Sequence, residues 1–130
     1  MATEILINDG GAPARIIPYT TAEEITAGDA CTIDTPGKLQ RSDSDDTGYD
    51  FAYVGVALTD AASGAVASVV TGQGVILNIS CDDLGAGVAL MMGATEGRLT
   101  TATNAAGAPK CQAVTLENNS AAGLTKCQTL

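Results

Sequence analysis

The amino-acid sequence predicts an all-β domain, and three observations carry that expectation. No window sustains a helical period over a helix-long stretch. The 15 glycines of the 130 residues fall at strand-ending spacings, giving turns about every 8–12 residues. The apolar runs between them are short and rich in β-branched residues. The expected architecture is a compact β-barrel or sandwich, built from two similar β units behind an extended N-terminal arm.

The elements follow in chain order. Residues 1–22 carry Gly10, Gly11, Pro13 and Pro18 around the runs "EILI" and "RIIPY", and these breakers forbid a helix of useful length. Two readings of this segment stand open: a loosely ordered tail, or an arm whose apolar residues Ile5, Leu6, Ile7, Ile16, Ile17 and Tyr19, with Arg15, add a strand to a neighbour. Residues 23–130 form the single β domain. "DACTI" and "VALMM" read as short strands, "GKLQ" and "GRLT" as their returns after a glycine turn. "YVGVAL" and "CQAVTL" follow loops; "AVASVV" and "LTKCQTL" close hairpins across "TDAASG" and "ENNSAAG". "GVILNIS" at 74–80 reads as an extra strand.

The two units echo one another. "EEITAG" at 23–28 answers "DDLGAG" at 82–87, "PGKLQ" answers "EGRLT", "GVALTD" answers "AVTLEN", and Gly64 answers Gly123. All four landmarks stand about 59 residues apart, which predicts an internal duplication over roughly 23–70 and 82–130. Two such units pack against each other as a pseudo-twofold pair that hides their edges. The repeated phrase is structural: Ile25 and Leu84 anchor the start of a strand, and Ala-Gly makes the turn that sets its register.

Composition narrows the function. Net charge is −9, from 15 acids and 6 scattered bases; nucleic-acid surfaces need clustered Lys and Arg, so no such partner is expected. No run approaches a membrane span, and the N-terminus lacks a basic and then apolar leader, so use without export is expected. Aromatics are 3% of the chain; a core of Val, Ile, Leu and Ala is modest, which points to oligomerisation. Cys31, Cys81, Cys111 and Cys127 are far apart, form no C-x-x-C, and read as reduced core thiols.

The chain has no His, which removes the usual partner of a Ser or Cys nucleophile and the commonest general base. No phosphate-binding or dinucleotide fingerprint is present. A carboxylate-pair hydrolase is the reading of last resort, because such a cleft is usually aromatic-lined. Neither an enzyme nor a cofactor is expected. The densest polar cluster is "RSDSDDTGYD" at 41–50. Asp43, Asp45, Thr47 and Gly48 fit the first half of a calcium loop, but Val54 stands where the bidentate Glu belongs. The alternative is an acidic loop between strands.

The ordered set Ile25, Ala27, Gly28 and Asp29; Gly37 and Leu39; Tyr53, Val54, Gly55, Val56, Ala57 and Leu58; Gly64 and Gly72 resembles the head decoration, or capsid cement, proteins of tailed bacteriophages. The resemblance covers residues 23–105 best. Val88 replaces the turn Asp in the second unit. The resemblance implies a trimeric, β-tulip-like domain on the outer surface of an icosahedral virion, made in the host cytoplasm. It implies binding to the major capsid protein at three-fold and quasi-three-fold positions, with the N-terminal arm gripping the shell. The competing reading is a β-barrel module of a tail or fibre that contacts host-surface carbohydrate. Such modules usually present aromatics to sugars, and only Tyr19, Tyr49, Phe51 and Tyr53 are available.

Overall fold

Burial that alternates along most strands, and runs unbroken where a strand is covered on both faces, organises the protein. The structure, a computed structural model, describes residues 5–8, 14–33, 37–42, 53–82, 85–93, 96–101, 113–118 and 122–129. Its strands are β1 (Leu6–Asn8), β2 (Arg15–Thr20), β3 (Ala30–Ile33), β4 (Leu39–Arg41), β5 (Tyr53–Ala57), β6 (Val66–Thr71), β7 (Ile76–Cys81), β8 (Ala89–Met92), β9 (Leu99–Thr101), β10 (Ala113–Thr115) and β11 (Gly123–Thr129). No helix occurs among the described residues. The candidate calcium loop, Asp43, Asp45, Thr47 and Gly48, lies outside them, as does Cys111.

Two barrels result. In the first, the strand order is β2-β6-β5-β3-β4, and a parallel bridge between Thr21 and Leu39 joins the two ends. In the second, the order is β7-β11-β10-β8-β9, and a parallel bridge between Cys81 and Leu99 closes it. The registers correspond rung by rung. Ala30, Val56, Val70 and Ile16 lie side by side across the first barrel. Ala89, Val114, Gln128 and Ile76 do so across the second.

This correspondence revises the reading of residues 1–22. β2 pairs with β6 over its whole length, as β7 does with β11. "RIIPYT" is therefore the first strand of the first barrel, and "GVILNIS" is its counterpart in the second rather than an extra. β1 does add a strand, but to β7 of its own chain, with Leu6 opposite Leu77 and Asn8 opposite Ile76. The apolar, β-branched character that suits strand addition is met here by the β7 edge of the same chain.

Each barrel has its own core. Ile25, Cys31, Leu39, Ala57, Ala61, Ala67 and Val69 fill the first. Leu77, Ile79, Cys81, Leu90, Leu99, Ala113 and Cys127 fill the second. Cys31, Cys81 and Cys127 are free and buried. Burial pushes the Cys31 thiol up, and contact with Cys81, 3.8 Å away, together with burial does the same for Cys127. Cys31 and Cys127, held protonated and enclosed, are poor nucleophiles and poor ligands; the contact with Cys127 lowers Cys81 instead.

The barrels do not meet as a pseudo-twofold pair. The first offers the outer face of β3, β5 and β6: Ala30, Val56 and Val70 cluster with Val75, Leu77 and Ile79 of the second. The second offers a different part of the shared fold, the β7 edge, Leu124 and the β8–β9 turn. The Ser80 N–H donates to the Gly28 carbonyl (2.9 Å), the Ala30 N–H to the Gly97 carbonyl (2.9 Å), and the Gly97 N–H to the Ser42 carbonyl (2.9 Å). Unlike surfaces meet, which is a head-to-tail contact. A twofold pair would instead have placed the same residues of both units at the junction.

Gly97 shows how close the approach is. Its φ is +77, and a Cβ there would stand 2.7 Å from Asp29 Oδ1. Asp29 holds that place because its Oδ2 accepts from the Thr26 N–H (2.9 Å). Gly37, the counterpart of Gly97 in the first barrel, has φ +91 but nothing within 4 Å of a Cβ. Both Gly→Ala changes carry the left-handed backbone cost of about 1 kcal/mol. Gly97→Ala adds the displacement of Asp29, so its loss of stability in urea melts should exceed that of Gly37→Ala by about 1–2 kcal/mol. Equal losses would mean that the junction yields freely at this point.

Burial raises the Asp29 carboxyl from 3.8 to about 6, against the lowering influence of the Thr26 N–H. The folded state therefore binds this proton more tightly than the unfolded state. The resulting stabilisation is present below pH 3.8 and is lost as pH rises to about 6. Asp29→Asn keeps an acceptor for Thr26 and removes the titration. The melting temperature of the variant minus that of the parent should be more positive at pH 7 than at pH 4. A difference that is the same at both would show that burial does not govern this carboxyl.

Candidate interaction surface

Where the first barrel is covered, the second is open. Ala30, Thr32, Ser42, Val56 and Val70 are at most 1% exposed; Ala30, Val56 and Val70 pack with the second barrel, and the Ser42 carbonyl accepts from its Gly97 N–H. Their rung partners in the other unit are not enclosed: Ala89 is exposed, and Met91, Val114 and Gln128 are half-buried. The side chains record the difference. Val70 becomes Gln128, and Ser68, between Pro18 and Leu58, becomes Lys126, between Asn78 and Leu116.

A second open strip runs along the outer face of β2 and β6. Pro18 and Thr20 are exposed, with Ile16 at 52% and Val66 at 61%. In the second barrel the corresponding side chains are Asn78, Ser80, Ile76 and Leu124. There Ile5 and the Gly28 turn lie against the strip: a Cβ on Gly28 would stand 2.2 Å from Leu124 Cδ2 and 3.6 Å from Ile5 Cδ1. The two turns that could make such a contact are built alike. The Ala27 N–H donates to Asp60 Oδ1 (2.7 Å), and the Ala86 N–H donates to Asn118 Oδ1 (2.9 Å).

The residues expected to form a gripping arm divide. Ile5 is 3% exposed and belongs to the core of the second barrel. The backbones of Leu6 and Ile7 are held in β1. Ile17 and Tyr19 are half-buried, with Tyr19 packed against the core of the first barrel. Arg15 and Ile16 are exposed at the start of β2. Sequence reasoning missed Val66, Leu116 and Leu124, which with Ile16 are the exposed large apolar residues among those described. Their signal was faint: they are strand-edge residues in a chain where small apolar residues are everywhere.

One cluster of charged groups spans the junction. Arg41 binds Glu23 (2.9 Å) and reaches Glu96 of the second barrel (2.5 Å). Burial works against the Arg41 charge, but these carboxylates outweigh it and hold the guanidinium protonated. All three are about a third or more exposed, so each pair contributes about 1 kcal/mol at most. Among the described residues, no group of three or more Cys, Asp or Glu is arranged to hold a metal ion. A cleft of 230 Å³ between Tyr53, Gly55, Val70, Gly72 and Thr129 has no charged lining.

Comparison with known proteins fits this geometry. The profile of the phage cement protein family matches residues 12–128, so it takes in both barrels. The head fiber gp8.5 N base of bacteriophage phi29 shares the fold, with a TM-score of 0.62 and 13% identity over 91% of this chain and 95% of that one. No curated protein matches by sequence.

Proposed function

This chain belongs to the phage cement protein family and is a phage capsid-associated structural protein; we propose that it binds the outer surface of an icosahedral shell as a homotrimer and stabilises the mature form. The observation that carries the reading is the family match across both barrels. The partner is the major capsid protein at three-fold and quasi-three-fold positions. Nothing in the mechanism requires chemistry. A protein that binds the mature shell better than its precursor or its dissociated parts shifts the equilibrium by mass action. Many weak sites on one lattice then act together.

Of the N-terminal residues, Arg15 and Ile16 have the exposure that a capsid contact needs. Ile5, enclosed in the core, holds β1 in place instead. The carbohydrate-binding alternative has less support, since the aromatic rings of Tyr19 and Tyr53 pack against the two cores. The test is to decorate purified shells with the double variant Arg15→Glu, Ile16→Asp across a dilution series. Thermal unfolding of the variant should match that of the parent, because both side chains face solvent. The concentration for half-occupancy should rise about tenfold or more, as expected for loss of one buried aliphatic side chain and one charge contact. Undiminished occupancy would move the capsid-binding face away from the start of β2.

A further inference from the structure

The junction between the two barrels is made of unlike surfaces, so one copy of each surface is left unused. The first barrel uses its β3-β5-β6 face and Gly28 turn; the second uses its β7-β11 strip and β8–β9 turn. The unused counterparts are the β8-β10-β11 face of the second barrel, with the Gly87 turn, and the β2-β6 strip of the first. We propose that copies of this chain associate head to tail through these two surfaces. The face of Ala89, Met91, Val114 and Gln128 on one copy meets the Pro18, Thr20 and Val66 strip of the next.

Four observations favour a second copy as the occupant. The complementary shape is already present once, inside the chain, between the same two parts of the same fold. The registers that align the two faces correspond rung by rung. The Gly87 turn keeps the conformation of the Gly28 turn: the Gly87 N–H donates to the Thr115 carbonyl (2.8 Å), as the Gly28 N–H does to the Ala57 carbonyl (2.8 Å). A Cβ on Gly87 meets nothing within 4 Å, whereas one on Gly28 meets Leu124. In the assembly the Gly87 turn of one copy lies on Val66 of the next, and its carbonyl faces the Thr20 N–H, as the Gly28 carbonyl faces that of Ser80.

The contact between copies is weaker than the one within the chain. Gln128 and Ala89 stand where Val70 and Ala30 are fully enclosed, and the covalent linkage is missing. Association is therefore expected at the high local concentration of a shell and lost on dilution. A head-to-tail contact closes a ring or extends without limit, according to its rotation. The inference rests on the trimer reading only for closure at three copies.

Cross-linking separates the possibilities. Val66→Cys and Ala86→Cys variants are prepared singly, mixed at high concentration or on shells, and oxidised; the parent protein serves as control. Covalent dimer is expected from the mixture and not from either variant alone. Disulfides confined to each single variant would mean like-to-like contact and would overturn the proposal. So would absence of any product while light scattering or particle images record oligomers. The double variant then reports closure. A covalent trimer supports both readings; a ladder running past three keeps the head-to-tail contact and rejects the trimer. In a second arm, Val66→Arg should abolish association while leaving the melting temperature unchanged. Association that survives this change would also overturn the proposal.

Discussion

The structure depends on one contact, the docking of the Thr26–Asp29 turn and the sheet behind it onto the second barrel. Neither barrel has a large core of its own. The first is filled by three alanines and single Ile, Leu, Val and Cys residues, and such a core buries little area per residue. Burial of Ala30, Val56 and Val70 under the second barrel gives the first a covered outer face as well. The sheet there is enclosed on both sides, which is why three successive residues of β3 and of β5 are buried. In β10 and β11, open on one side, buried residues alternate with exposed or half-buried ones.

The same contact accounts for the divergence of the two units. Asp29 is enclosed at the junction; its counterpart Val88 is not at one. Gly55 pairs beside Cys31, and a Cβ there would stand 2.3 Å from the Val70 carbonyl oxygen. Ala113, at the same place beside Leu90, has room for its methyl group. The two barrels thus share a ladder but occupy different environments, and the differences between them fall where one is covered and the other is not.

Much of this was legible in the sequence. The strand segments from residue 29 onward were readable because glycine turns punctuate short apolar runs, and the spacing of "EEITAG" and "DDLGAG" marked the corresponding turns of the two barrels. The doubly apolar "YVGVA" and "VASVV", against the alternating "LTKCQTL", even carried the sign of a sheet covered on both faces. What stayed hidden was β2. "RIIPYT" contains a proline, and proline usually marks a loop or an edge, so the segment read as an arm. Its relation to "ILNISC" survives in the register and not in the letters. The partner of each sheet face was also beyond reach, because a head-to-tail and a twofold arrangement bury the same residue types.

Pro18 explains how the first barrel lives with an edge that the second has capped. On β7 that edge is occupied: the Asn78 N–H donates to the Ile5 carbonyl (2.8 Å), the Ser80 N–H to Gly28 (2.9 Å) and the Asp82 N–H to Leu99 (3.1 Å). On β2 the Ala22 N–H donates to Leu39 (2.7 Å), matching the last of these. The Thr21 N–H donates to Ala65 of the neighbouring segment (2.8 Å), so the alternate residues Pro18 and Thr20 face the other way, toward the edge. Proline stands where Asn78 stands on β7, and it has no N–H to leave unpaired. An edge with a donor at that place would invite indiscriminate strand pairing. Proline blunts it while leaving the side chains of Thr20 and Val66 free to pack. The surface that the fold leaves open therefore selects for a partner that docks by shape and a turn, and against one that arrives as an extended strand.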